Sequence, residues 1–263
     1  MAKSKWEKDE SEKEVRERWD KVWIERESLL RNTFGETSPR GCVVSFSWSE
    51  PRLIIPGACA LAFPPTKPRR THWLYVTHGL TQPLNPSGIA TPEHPSEYGW
   101  EFGVQTGSKV DWATDLLYEI LSYWRETENR VDVGHRLPVA FYEERDGIRP
   151  LIRDLQEDDP YPPIGEIRAL VFWPYLALPS FLSTKTGYFG VLIGTTITAR
   201  ERELAKETSS AHLLLLLLKA GIGQVSRPNR ACVTQKTSWA KEWESISKLT
   251  QEEAEELLTK KGK

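Results

Sequence analysis

The order of apolar and polar positions along the chain predicts a mixed sheet dressed with helices. Residues 5–31 carry Val15, Trp19, Val22 and Trp23 at helical spacing among Glu, Lys and Arg. That pattern fits either a helix packed on the domain or an arm that docks on a partner. Turn residues Gly35, Pro39 and Gly41 follow. Val44, Phe46 and Trp48 then alternate with Ser45 and Ser47, as in a half-buried strand. Residues 53–63 are apolar but interrupted by Pro56 and Gly57, which predicts one bent strand or two short ones. Residues 71–80 read as the next strand and 83–97 as a long proline-rich loop. A strand over 98–105 puts Trp100, Phe102 and Val104 on one face, Glu101 and Gln105 on the other.

Residues 111–126 predict a helix with Trp112, Leu116, Ile120 and Tyr123 on one face, entered through a Ser108–Asp111 capping box. The polar stretch 127–164 offers one short strand at 137–142. Segments 166–175 and 187–197 are apolar on both faces and read as central strands. Thr198 and Glu201 form a second capping-box pattern, opening one helical region that runs to Ala220 through the six leucines 213–218. A last strand is expected within 222–233. The tail from Lys236 predicts an amphipathic helix with Trp239, Trp243 and Ile246 aligned, restarting at Thr250 and Glu253. The class is therefore α+β: a mixed β-sheet packed with helices, with amphipathic helices at both ends. Its parts are a terminal helix in 1–35, a domain over 36–233 and a helical tail over 234–263.

Composition narrows the function classes. The 263 residues are 39% apolar and include 11 Trp, enough for a sizeable core. A net charge of −2 gives no general attraction to nucleic acid or to an anionic membrane. The longest uncharged run, 169–184, is short for a membrane span and holds Pro174 and Pro179. The densely charged first residues lack the apolar core of a signal peptide, which places the protein in the cytoplasm. Cys42, Cys59 and Cys232 form no CxxC pair and read as reduced, buried thiols.

The residues suggest little reactive chemistry. His72 and His78 lie on one strand face about 20 Å apart, too far to share a metal ion. His212 adjoins the leucine run and reads as a core histidine. Neither a GxSxG elbow nor a phosphate-binding glycine loop is present. Glu143–Glu144 and Glu157–Asp158–Asp159 read as solvated loop acids. Lys67, Arg69 and Arg70 flank Pro68 in a basic turn that suits steering of an acidic protein better than a nucleic-acid groove. No catalytic residue, cofactor or metal is assigned.

One stretch is more specific. HWLYVTHGLT, from His72 to Thr81, resembles a signature of the Suppressor of fused family. SEYGWEFGV, from Ser96 to Val104, resembles the strand that follows it there. Trp112, Leu116 and Leu117, then Val191–Gly194, Glu203–Leu204, Leu213–Leu218 and Arg230 occur in the family's order, over residues 41–233. The resemblance, to the single-domain bacterial type, implies a mixed α/β domain without catalytic activity that binds and sequesters another protein. In that type the partner is a neighbour-encoded toxin, and the domain acts as its immunity protein. Trp73, Tyr75 and Glu101 in the matched motifs, with Arg69 and Arg70, are the candidate partner-binding residues. Whether Trp73 and Tyr75 or the opposite strand face is core stays open. Two alternatives remain: an enzyme with an unrecognised hydrolase-like site using His72 or His78, and a scaffold acting through Trp19, Trp23, Trp239 and Trp243.

Overall fold

The computed structural model describes residues 12–37, 58–66, 70–81, 95–127, 129–154, 162–178 and 181–261. The expected strand at 41–48 and most of the loop at 83–97 lie outside them. In chain order the elements are α1 (Glu12–Phe34), β1 (Cys59–Phe63), β2 (Trp73–His78), β3 (Pro95–Thr106) and α2 (Trp112–Thr127). Next come β4 (Arg136–Pro138), β5 (Ala140–Glu144), β6 (Gly147–Leu151), β7 (Ile167–Pro174), β8 (Leu182–Thr184) and β9 (Gly187–Thr198). The chain continues with α3 (Ala199–Glu207), α4 (Ser210–Lys219), a 3-10 turn at Val233–Gln235, α5 (Trp239–Ile246) and α6 (Gln251–Lys261).

The main sheet runs β1-β2-β3-β9-β7-β4, with β8 paired to the start of β9. β3 and β9 are parallel and every other pair is antiparallel. Gly103 lies where β3 is squeezed between β2 and β9. A Cβ there would fall 2.7 Å from Ile193 Cδ1 and 3.3 Å from the Tyr75 carbonyl. β5 and β6 form a separate two-stranded hairpin.

Both faces of the sheet are covered. On one, Tyr75, Phe102, Val104, Leu170, Phe172 and Leu192 pack against Leu116, Leu117 and Ile120 of α2 and Phe141 of β5. On the other, Leu30 and Phe34 of α1 cover Leu61, Leu74, Val76, Val191 and Ile193. Further along that face, Leu213–Leu217 of α4 with Ile246, Ala254 and Leu258 of α5 and α6 cover Val171, Trp173 and Ile197. The open question of which β2 face is core is answered by both: Tyr75 and Leu74 are equally inside. Central strands buried on two sides explain why 166–175 and 187–197 lack polar alternation.

Several local expectations need correction. The helical region 198–220 is two helices, because Ser209 leaves the helical conformation (φ −157°) and caps α4, its hydroxyl accepting from the His212 amide. Residues 222–233 are not a strand: Gly221 and Gly223 take positive φ (73° and 61°), and only Val225 bridges to Gln105. The strand expected at 137–142 is two strands in different sheets, β4 and β5. β3 begins at Pro95, inside the expected loop. The first turn of α2 closes on the Asp111 carbonyl, so the helix starts just after the expected Ser108–Asp111 box.

The Thr198–Glu201 box is present in full. Glu201 is fully buried and also faces Arg230, whose side chain is 6% exposed. Arg230 Nη1 donates to Glu201 Oε1 at 2.7 Å, and Nη2 to Glu201 Oε2 and to the Thr196 carbonyl. The amides of Thr198 and Val233 complete the carboxylate's shell at 2.9 and 2.8 Å. One bidentate pair thus ties the end of β9, the start of α3 and the return segment at 230–233.

Candidate functional site

The residues singled out from sequence sit mostly inside the fold. Trp73 opens β2 half-buried, stacked on Tyr75 at 6.4 Å, with Lys109 Nζ 5.6 Å from its ring. Tyr75 is 2% exposed and its hydroxyl accepts from the Val110 amide at 2.8 Å. Glu101 is fully buried. It accepts from the Thr77 hydroxyl (2.6 Å), the Gly79 amide (3.2 Å), and the Thr81 amide and hydroxyl (3.0 and 2.8 Å). Burial pushes its pKa up and these bonds oppose the shift. Glu101 therefore pins the turn after β2 onto β3, which gives the matched HWLYVTHGLT motif a role in holding the sheet. Arg70 is buried beneath Phe34 and Phe63. Arg69 and Lys67 lie outside the described residues.

The histidines do not converge. His78 is fully buried against Trp23 of α1, ring centroids 3.9 Å apart, and neither ring nitrogen has a hydrogen-bond partner of good geometry. Burial pushes its pKa down to about 4, with Glu27 and a loose contact to the Trp23 backbone pulling it up and Arg26 and Arg31 pushing it further down. His72 is half-exposed and its Nδ1 meets the Thr71 hydroxyl. His212 is bonded at both nitrogens, to Ser209 and to the Leu249 carbonyl, as a core histidine should be. Trp23, Trp239 and Trp243 pack on the domain's own cores. Among the described residues no group of His, Cys, Asp and Glu is arranged to hold a metal ion, and no helix is long and apolar enough to cross a membrane.

A broad groove lies elsewhere on the surface. A groove of about 640 Å³ runs between α2 and the β5–β6 hairpin. Asp111, Asp115 and Glu119 line one wall at i, i+4, i+8 spacing, and Glu144 and Asp146 the other. Arg149 is the one basic residue of the lining among the described residues, 3.2 Å from Glu144. Trp112 forms part of the lining, and Tyr118 stands 44% exposed at the groove. The helix dipole favours acids at Asp111 and Asp115, but Glu119 lies two turns in, beyond its reach. Burial raises the pKa of Asp115, and Asp111 raises it further; burial likewise raises that of Glu119, while Arg149 opposes both shifts and a bond from the Ile152 amide opposes the second. Such a crowd of carboxylates is relieved by cations.

From sequence, α2 shows only its apolar face as significant and Glu144 reads as a loop acid. Two signals were available: the Asp111–Asp115–Glu119 spacing, and Asp146–Gly147 beside a two-residue turn, a hairpin mark. That the two walls meet is a tertiary fact.

No family model matches the chain, and no curated protein matches it. Solved structures do. The crystal structure of Drosophila Suppressor of Fused aligns over 76% of this chain and 46% of its own, with TM-score 0.51 and 16% identity. This chain thus spans under half the length of that one. A chain of the Sufu–Fu complex crystal structure aligns over 89% of this chain and 98% of its own, with TM-score 0.55 and 15% identity. A putative Suppressor of fused homologue from Neisseria gonorrhoeae aligns over 81% and 97%, with TM-score 0.49 and 17% identity. The first two define the class: this chain has a Suppressor of fused-like α+β fold.

Proposed function

We propose that the chain is a protein-binding domain that grips a partner polypeptide without transforming it, using the groove between α2 and the hairpin as a docking face for a basic segment. The observation that carries this is the lining: five carboxylates against one guanidinium, around an exposed tyrosine. Lys or Arg side chains would relieve the carboxylates, and a ring such as Tyr118 is a common interface anchor. The similar chain of the Sufu–Fu complex, crystallised with a protein partner, supports the same class of function. The finer reading is an immunity role inside the cell, with a toxin as the partner. Its support is the sequence resemblance to single-domain bacterial members. Co-expression with the products of the neighbouring genes tests it: one of them should arrest growth and the chain should restore it, and the absence of any such rescue sinks the toxin reading alone.

For the groove, the double replacement Asp115→Lys with Glu119→Lys is expected to weaken partner affinity about 100-fold, chiefly at low salt. Calorimetry at two ionic strengths checks it. Unchanged affinity in a folded variant would remove the groove from the interface.

A further inference from the structure

We propose that the pocket beside Arg70 is a receptor for a carboxylate carried by a polypeptide. The pocket has a volume of about 460 Å³ and lies between the end of α1 and the segment after β7, with Thr66, Arg70 and Tyr175 in its lining. It is on the sheet face opposite α2, so it is separate from the acidic groove.

Three arginines are buried among the described residues: Arg26, Arg70 and Arg230. A buried guanidinium is expensive unless an acid answers its charge. Arg230 has Glu201 in a bidentate pair. Arg26 feels the carboxylates of Glu101 and Glu25. Arg70, 7% exposed, has no such partner among the described residues. Its Nε donates to the His72 carbonyl at 3.1 Å, and its Nη2 to the carbonyls of Phe34 (3.0 Å) and Pro64 (2.5 Å). These bonds hold the guanidinium in place but, among the described residues, leave its charge unanswered. Nη1 makes no hydrogen bond to a described residue. Tyr175, 8% exposed, has a hydroxyl that makes no hydrogen bond to a described residue, and the Arg70 charge acts on it. Burial pushes the Arg70 pKa down and that of Tyr175 up, as expected where no anion is present to compensate.

A cation fixed by three carbonyls, with Nη1 uncommitted among the described residues and the Tyr175 phenol in the same pocket lining, suits a two-oxygen anion that takes one bond from each. A single charge matches better than a phosphate dianion, because only one guanidinium is present and the carbonyl end of α1 adjoins it. The space exceeds a carboxyl group by enough to admit the residue that bears it. The polypeptide source rests on the protein-binding reading, whereas the carboxylate site does not.

The test uses the full chain and the side-chain N–H signals of Arg70, assigned by their loss in Arg70→Lys. The probes are acetate, inorganic phosphate, an end-blocked peptide with one internal Glu, and a glycine peptide with a free C-terminal carboxylate. Saturable millimolar shifts are expected with acetate and with at least one peptide, the pair deciding between side-chain and terminal carboxylate. Phosphate should bind no more tightly. Tyr175→Phe, which keeps the ring and the fold, should weaken binding about fivefold through loss of one hydrogen bond. Saturation by acetate with neither peptide binding overturns the polypeptide source and the protein-binding reading at this site. Absence of saturation by any carboxylate, or equal affinity in Tyr175→Phe, overturns the receptor itself.

Discussion

Replacing Arg230 with alanine is expected to lower the free energy of unfolding by about 3–5 kcal/mol, among the largest effects any single change in this fold should have. The reason is what remains behind. Glu201 is fully buried, and two of its strongest bonds come from Arg230. Truncation strands a carboxylate in the interior and also frees the Thr196 carbonyl. In a domain of this size the melting temperature should fall by roughly 10 °C. The paired change Arg230→Met with Glu201→Leu removes both charges. It should be markedly milder than either single change, even though it deletes the α3 capping box. Chemical denaturation of Arg230→Ala, Glu201→Leu and the double variant reads this directly. A double variant as damaged as Arg230→Ala would show that the hydrogen bonds, and not the unpaired charge, dominate.

The second large effect is an acid-side loss of stability through His78. Its folded pKa, about 4, lies below the ordinary histidine value of 6.5. Above pH 6.5 the ring is neutral in both states and the fold keeps its full stability. Between 6.5 and 4 the unfolded chain binds a proton that the folded chain refuses, so stability falls as pH falls. The full loss is about 3 kcal/mol. The groups facing the ring are Arg26, Glu27 and Arg31 from α1, with Glu101 of β3 acting on Arg26. Glu101, Asp115 and Glu119 have raised pKa values and push the slope the other way, so the comparison must be with His78→Leu. That variant keeps the volume under Trp23 and should lose about 3 kcal/mol less than the parent between pH 7 and pH 4. Parallel pH profiles would mean that α1 lifts and lets water reach the ring.

The legible parts of this fold are those whose physics is local. β7 and β9 are apolar on both faces because helices cover both. The Thr198–Glu201 and Thr250–Glu253 boxes close within four residues, as their spacing requires. Glu101 shows the limit. Strand alternation places it opposite Trp100, but its partners lie 20–24 residues away, at Thr77 and Thr81. The result is a clasp, where sequence alone read a surface candidate. The break between α3 and α4 depended on the conformation of Ser209, hidden beneath strong helix formers on both sides. The groove was harder still: its two walls are separated by the end of α2 and the whole of β4, and nothing local announces that they meet. Arg70 was legible as a basic residue in a turn but not as a cation buried without a described counter-ion.

The direct test of the central claim is a photo-crosslinking amino acid placed at position 118, within the full-length chain, in the native host. Crosslinks to a Lys- or Arg-rich segment of one stoichiometric partner are expected, lost when Asp115→Lys and Glu119→Lys are added. A partner that co-purifies equally with the charge-reversed chain, and never crosslinks from position 118, contradicts it.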